Sequence, residues 1–81
     1  MFYKFKYKIK TYINGYLVLN ENIDKIYEHT IELNRYEIDR SGSLTGMKEL
    51  AISKLKNLYT NTEDVTYVIE IVSPIEDYGG H

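Results

Sequence analysis

The sequence predicts a small α+β domain: a mainly antiparallel sheet in ββ(β)αβ order, with one helix packed across one face. Three observations carry that reading. Residues 3–10 alternate apolar and lysine side chains at the period of a strand, and Asn14-Gly15 follows as a hairpin turn. Residues 44–59 hold the clearest amphipathic helical pattern in the chain.

In the first strand Tyr3, Phe5, Tyr7, Ile9 and Ile13 share one parity, and Lys4, Lys6, Lys8 and Lys10 the other. Successive side chains of a strand point to opposite faces, so one face is apolar and the other basic. The basic face should be wet and should blunt an edge strand. Asn14-Gly15 supplies the two left-handed residues of a type I′ turn, and Tyr16 to Leu19 return along the first strand as a long hairpin. Asn20-Glu21-Asn22 is a connection. Residues 23–33 fit two patterns. Ile23, Ile26, Tyr27, Thr30 and Ile31 lie at helical spacing, with Asn22 as a cap. Tyr27, His29, Ile31 and Leu33 alternate as in a strand, and the β-branched run favours this second reading. The parity breaks at Asn34-Arg35, where a bulge or turn would shift Tyr36 and Ile38 to the opposite phase.

Arg40-Ser41-Gly42-Ser43 is a turn cluster leading into the helix. Met47, Leu50, Ala51, Leu55, Leu58 and Tyr59 form its apolar stripe. Ser43 or Thr45 is the expected cap, Lys54 and Lys56 complement the dipole at the far end, and Gly46 is a weak first-turn residue. Residues 65–72 form the last strand. Val65, Tyr67, Ile69 and Ile71 fill one face and Val68 and Val72 add to the other, a pattern expected of a central or covered strand. Pro74 closes it. The expected organisation is one domain over residues 1–75 and a frayed, acidic, glycine-ended tail over 76–81.

An 81-residue chain without cysteine has neither a disulfide frame nor a thiolate metal site or nucleophile to reinforce or equip it. No apolar run approaches the roughly 20 residues of a membrane-spanning helix, so the expectation is a cytoplasmic protein with no membrane partner. The net charge of −2 conceals strong segregation: residues 1–20 carry four lysines and no acid, and residues 61–81 five acids and no base. No phosphate-binding loop, zinc spacing or nucleophile–base pair is present, so no catalytic residue, metal site or cofactor is expected. His29 is the one internal histidine. In a strand its neighbour Glu28 points to the other face, which leaves it without an orienting carboxylate.

Two surfaces remain as candidate binding sites. Glu28, Glu32, Glu37 and Asp39, with Tyr16, Tyr27 and Tyr36, would form an acidic, tyrosine-rich surface for a protein partner. Nine tyrosines exceed what so small a core can hold, so several must be exposed, Tyr78 among them. The alternative is nucleic acid. Lys4, Lys6, Lys8 and Lys10 would recur roughly 6.6 Å apart along the strand, a spacing able to track phosphates, with Tyr12 beside them to stack on bases. A third reading is a homodimer, or a larger homo-oligomer, joined through the open edge of the hairpin and framing a ligand site between subunits.

The chain leans on Lys, Ile, Asn and Tyr, with no Trp and a single Pro. In size, composition and ββαβ pattern it resembles small accessory proteins of phages and mobile elements of low-GC Gram-positive bacteria, anti-CRISPR-like inhibitors among them. The resemblance spans the whole chain, includes no diagnostic motif, and transfers no residue roles. It implies a non-enzymatic protein that occupies the surface of a host protein in the host cytoplasm. The expected function is therefore a protein-binding module, with nucleic-acid binding as the alternative.

Overall fold

The computed structural model describes residues 1–42 and 44–77. The elements run β1 (Phe2–Ile13), β2 (Tyr16–Leu17), β3 (Tyr27–Glu32), α1 (Arg35–Ser41), α2 (Leu44–Leu55), β4 (Val65–Ile71) and β5 (Glu76–Asp77). Every other strand pairs with β1, and every pairing is antiparallel. Tyr3 and Lys4 pair with β3 on one side and with β5 on the other; Tyr12 and Ile13 pair with β2 and with β4. The sheet is therefore three rows wide, with β2 and β3 in line on one flank and β4 and β5 in line on the other. The α+β class is as expected, and the strand alternative for residues 23–33 is the one adopted, over 27–32.

Several expectations are corrected. The lysine-bearing strand is the central row, not an edge, and β4 is an edge despite its two apolar parities. The hairpin is short. Asn14 and Gly15 adopt the positive φ values of 51° and 83° that the turn requires, but β2 pairs for only two residues. Asn20 then diverts the chain: its side chain accepts from the Asn22 amide at 2.8 Å and its carbonyl from the Ile23 amide at 3.2 Å. Such side-chain turns compete with continued pairing. Glu76 and Asp77, expected to begin a frayed tail, pair with Lys4 and Tyr3. The rest of that segment, with Tyr78 and His81, lies outside the described residues, as does the expected cap Ser43.

A second helix replaces the expected bulged strand over Tyr36 and Ile38. Asn34 sits in extended conformation at its start and accepts from the Glu37 amide at 2.8 Å, while the Glu37 carboxylate accepts from the Asn34 amide at 3.1 Å. This reciprocal capping box satisfies two amides that a helix start leaves unpaired. Gly42, left-handed at φ 63°, ends the helix. α2 begins two residues later and packs against α1 so closely that a Cβ on Gly46 would overlap the Ser41 carbonyl oxygen and lie 2.8 Å from its carbon.

Both helices cover one face of the sheet. Phe5 and Tyr7 from β1, Ile31 and Leu33 from β3 and its exit, and Ala51 and Leu55 from α2 form the buried core. Ile38, Met47, Leu50, Tyr59, Ile69 and Ile71 pack around it. Tyr7 stacks on Tyr27 at 5.6 Å, meets Tyr59 edge-on at 6.1 Å, and shares a 2.8 Å hydrogen bond between the Tyr7 and Tyr59 hydroxyls. Burial, reinforced by that hydrogen bond, raises the Tyr7 phenol far above its ordinary pKa. Leu58, expected in the helical stripe, is 63% exposed because α2 ends at Leu55. No helix among the described residues is long and apolar enough to cross a membrane.

Candidate functional site: the open sheet face and its two edges

Among the described residues nothing packs over the face opposite the helices. Along β1 it carries Phe2, Lys4, Lys6, Lys8, Lys10 and Tyr12, the parity that avoids the core. Register then decides the flanking residues. On β3, Glu28 lies opposite Lys6, Thr30 opposite Lys4 and Glu32 opposite Phe2. On the other flank, Glu70 lies opposite Lys8 and Glu76 opposite Lys4. The Lys4 ammonium reaches Glu28 at 3.4 Å. The basic row thus runs between two acidic rows roughly 4.8 Å away, the distance between neighbouring strands. Opposite charges across strands stabilise the sheet modestly and cancel much of the field that a phosphate would meet. Lys10 and Tyr12, at the hairpin end, face Val68 and Thr66 instead.

The expected acidic, tyrosine-rich surface does not form one patch. Glu28 and Glu32 lie on the open face of β3. Glu37 belongs to the helical layer and is occupied there: besides capping α1, its carboxylate meets the Lys54 ammonium at 3.0 Å. The hydrogen bond from Lys54, followed by that from the Asn34 amide, holds the Glu37 pKa below the ordinary glutamate range. Asp39 is exposed on α1. Tyr16, at the hairpin tip, is 79% exposed, and Tyr36 on α1 is 67% exposed. Tyr36 accepts from Arg40 at 3.3 Å and lies under its guanidinium. Tyr27 is corrected: it is half-buried, stacked on Tyr7, with Lys25 over its ring at 5.0 Å. His29 also sits on the core side, edge-on to Phe5 at 6.1 Å.

The Glu37 arrangement predicts a pH effect. A carboxylate whose folded pKa is depressed contributes stability that is fully present above its unfolded pKa of about 4.3. That contribution disappears as pH falls through the lower folded value. Glutamine can still cap α1 but cannot pair with Lys54 as an anion. Chemical unfolding of Glu37→Gln should therefore show lower stability than the parent at pH 6, and a smaller gap at a pH well below about 4.3. A gap unchanged between these pH values would contradict the assignment.

Residues outside the expected sites become prominent at the two edges. On β3 the amides and carbonyls of Tyr27, His29 and Ile31 turn toward β1, in the same phase as Leu33, whose amide donates to the Met1 carbonyl at 2.8 Å. Those of Glu28, Thr30 and Glu32 therefore turn outward. On β4 the even residues bond β1, as the Val72 amide to the Lys6 carbonyl at 2.9 Å illustrates, so Val65, Tyr67, Ile69 and Ile71 turn outward. The loop before β4 covers the first part of that edge. Thr62 takes both outward groups of Val65, and Asn61 accepts from the Tyr67 amide at 2.9 Å. No hydrogen bond from another described residue covers the outward groups of Ile69 and Ile71. Between the helices, Tyr36, Glu37, Arg40, Gly46, Glu49 and Leu50 line a shallow cavity of ≈ 440 Å³. Comparison with protein-family models, curated proteins and solved structures finds no match for this chain.

Proposed function

We propose that the protein is a non-enzymatic binding module that captures an extended, basic segment of a partner protein along the outer edge of β3. The observation that carries this reading is the pairing, on that edge, of acidic side chains with backbone groups that no other described residue meets. Glu28, Thr30 and Glu32 all direct their amides and carbonyls outward. A strand added there would gain main-chain hydrogen bonds, and its alternate side chains would lie beside Glu28, Thr30 and Glu32 on the open face. Charge alternates across the rows already, acidic on β4 and β5, basic on β1, acidic on β3. A basic row completes the alternation.

Self-pairing of this edge is disfavoured by the same charges. An antiparallel second copy centred on Thr30 would oppose Glu28 to Glu32 of the partner subunit, twice. The favoured segment carries lysine or arginine at two positions four residues apart, with a small β-former midway. The resemblance to phage and mobile-element accessory proteins would make the partner a host protein. Nucleic acid is the weaker reading, because three of the four lysines it requires, Lys4, Lys6 and Lys8, each stand beside an acid of a neighbouring strand.

The test is fluorescence anisotropy with a labelled peptide of alternating Lys, Thr and Lys at those positions, beside a serine-for-lysine control and a labelled single-stranded oligonucleotide. Saturable binding of the basic peptide is expected, weakened at least tenfold in Glu28→Lys/Glu32→Lys, with the control unbound. The oligonucleotide should show no steep loss of affinity between about 50 and 200 mM salt, the range that reports phosphate contacts. Equal binding of both peptides, or strong salt-sensitive oligonucleotide binding, would overturn the proposal.

A further inference from the structure

We infer that the outer edge of β4 is a self-association site, at which a second copy of this chain pairs antiparallel with the register centred on Ile69. The β3 edge plays no part in this inference. β4 reads in sequence as a covered strand, VTYVIEI, with a single charge and no proline. In the monomer it is an edge with Val68 47% exposed. A long apolar edge strand without inward charges, proline or a bulge is what natural sheets otherwise avoid.

The second copy follows from the hydrogen bonds and charges of this edge. A twofold antiparallel pair must be centred on one residue of β4. Centring on Val68 would oppose Tyr67 to Ile69 of the partner subunit, and because Asn61 holds the Tyr67 amide and Thr62 holds both outward groups of Val65, only the two Ile69 amides would find acceptors. Centring on Glu70 would place two glutamates directly opposite each other, a destabilising cross-strand pair. Centring on Ile69 opposes Tyr67 to Ile71 of the partner subunit, where the Tyr67 amide again stays on Asn61, but this register forms four main-chain hydrogen bonds and sets no glutamates opposite each other. The Ile69 amide and carbonyl exchange hydrogen bonds with Ile69 of the partner subunit. Each Ile71 amide donates to the Tyr67 carbonyl across the interface, and the Tyr67 amides keep their Asn61 caps. Side chains agree with this register. Tyr67 opposes Ile71 of the partner subunit on the helix side, and Val68 opposes Glu70 of the partner subunit on the open side, so no like charges meet.

Area points the same way. The chain exposes 5858 Å², against about 5,100 Å² for an average folded monomer of its mass. Its radius of gyration is 13.9 Å, against about 12 Å for a compact chain of this length. The chain is thus more open than an average monomer of its size and leaves surface available for an assembly to bury. Pairing of β4 would give a continuous six-row sheet with all four helices on one side and β3 at both outer edges, still open to other strands.

The experiment is sedimentation equilibrium of the full chain from micromolar to millimolar concentration, with amide hydrogen exchange at both ends of that range. A concentration-dependent dimer is expected. The Ile69 and Ile71 amides should gain protection as it forms, whereas the Tyr67 amide should be protected throughout. Val68→Glu, which puts a carboxylate opposite Glu70 of the partner subunit at both symmetry-related positions, should raise the dissociation constant roughly tenfold. Val68→Lys should lower it. Val68 faces solvent in the monomer, so neither variant endangers the core, and the opposite signs separate register-specific pairing from general disturbance. A monomer at every concentration would overturn the inference. So would a dimer in which Ile69 and Ile71 gain no protection, or in which both variants act alike.

Discussion

Leu55→Ala is expected to remove a large part of the stability of the domain, whereas Leu58→Ala should leave it almost unchanged. The two leucines belong to one helical stripe in sequence, three residues apart. In the fold Leu55 is fully sealed and Leu58 is 63% exposed. Truncating a sealed leucine loses its transfer free energy and leaves a cavity, together costing about 2–5 kcal/mol. A folded chain of this length has roughly 4–12 kcal/mol in total. In a urea titration, with a slope near 1 kcal/mol per molar, the Leu55 midpoint should fall by about 2 M or more. Leu58→Ala should stay within about 0.5 kcal/mol of the parent. Equal losses at the two positions would mean that the helix continues and packs through Leu58.

Gly46→Ala sets two effects of opposite sign against each other. Alanine is the better helix former by about 1 kcal/mol, so a freely exposed Gly46 would give a more stable protein. The new methyl group, however, meets the backbone of Ser41 at the end of α1, and backbone cannot turn aside as a flexible side chain can. Relief requires α1 and α2 to separate, which also loosens Ile38 and Met47 from the core. Forced overpacking costs about 1–3 kcal/mol, and we expect it to win. The melting temperature should fall by several degrees, at about 4–8 °C per kcal/mol for a domain of this size. Faster amide exchange across α1 should accompany the fall. A stabilised Gly46→Ala protein would show that the first turn of α2 stands clear of α1.

The second helix was legible in part. Asn34, with Glu37 three residues on and Gly42 at the far end, has the spacing of a capped helix, but Tyr36 and Ile38 also keep a strand-like alternation beyond the break at Asn34-Arg35. Seven residues are too few for an apolar stripe to outweigh that pattern; the capping box and the Lys54 ion pair identify the helix instead. The candidate acidic surface was only partly legible for a related reason. Charge composition counts Glu28, Glu32, Glu37 and Asp39 alike, but Glu37 is committed to Asn34 and Lys54, and that commitment needs α2 folded back beside α1.

Alternation determined the first strand and which of its faces enters the core, and Asn14-Gly15 determined its turn, because strand period, side-chain polarity and turn chemistry are local properties. The helical stripe likewise determined that Ala51 and Leu55 are buried. Local pattern carries no record of which strands become neighbours. Tertiary pairing alone placed the lysine strand at the centre, ranged acids along both its flanks, and left the edges of β3 and β4 open. The reason is physical: the faces of a strand are set by its own side chains, whereas its edges are set by whichever backbone arrives to meet them.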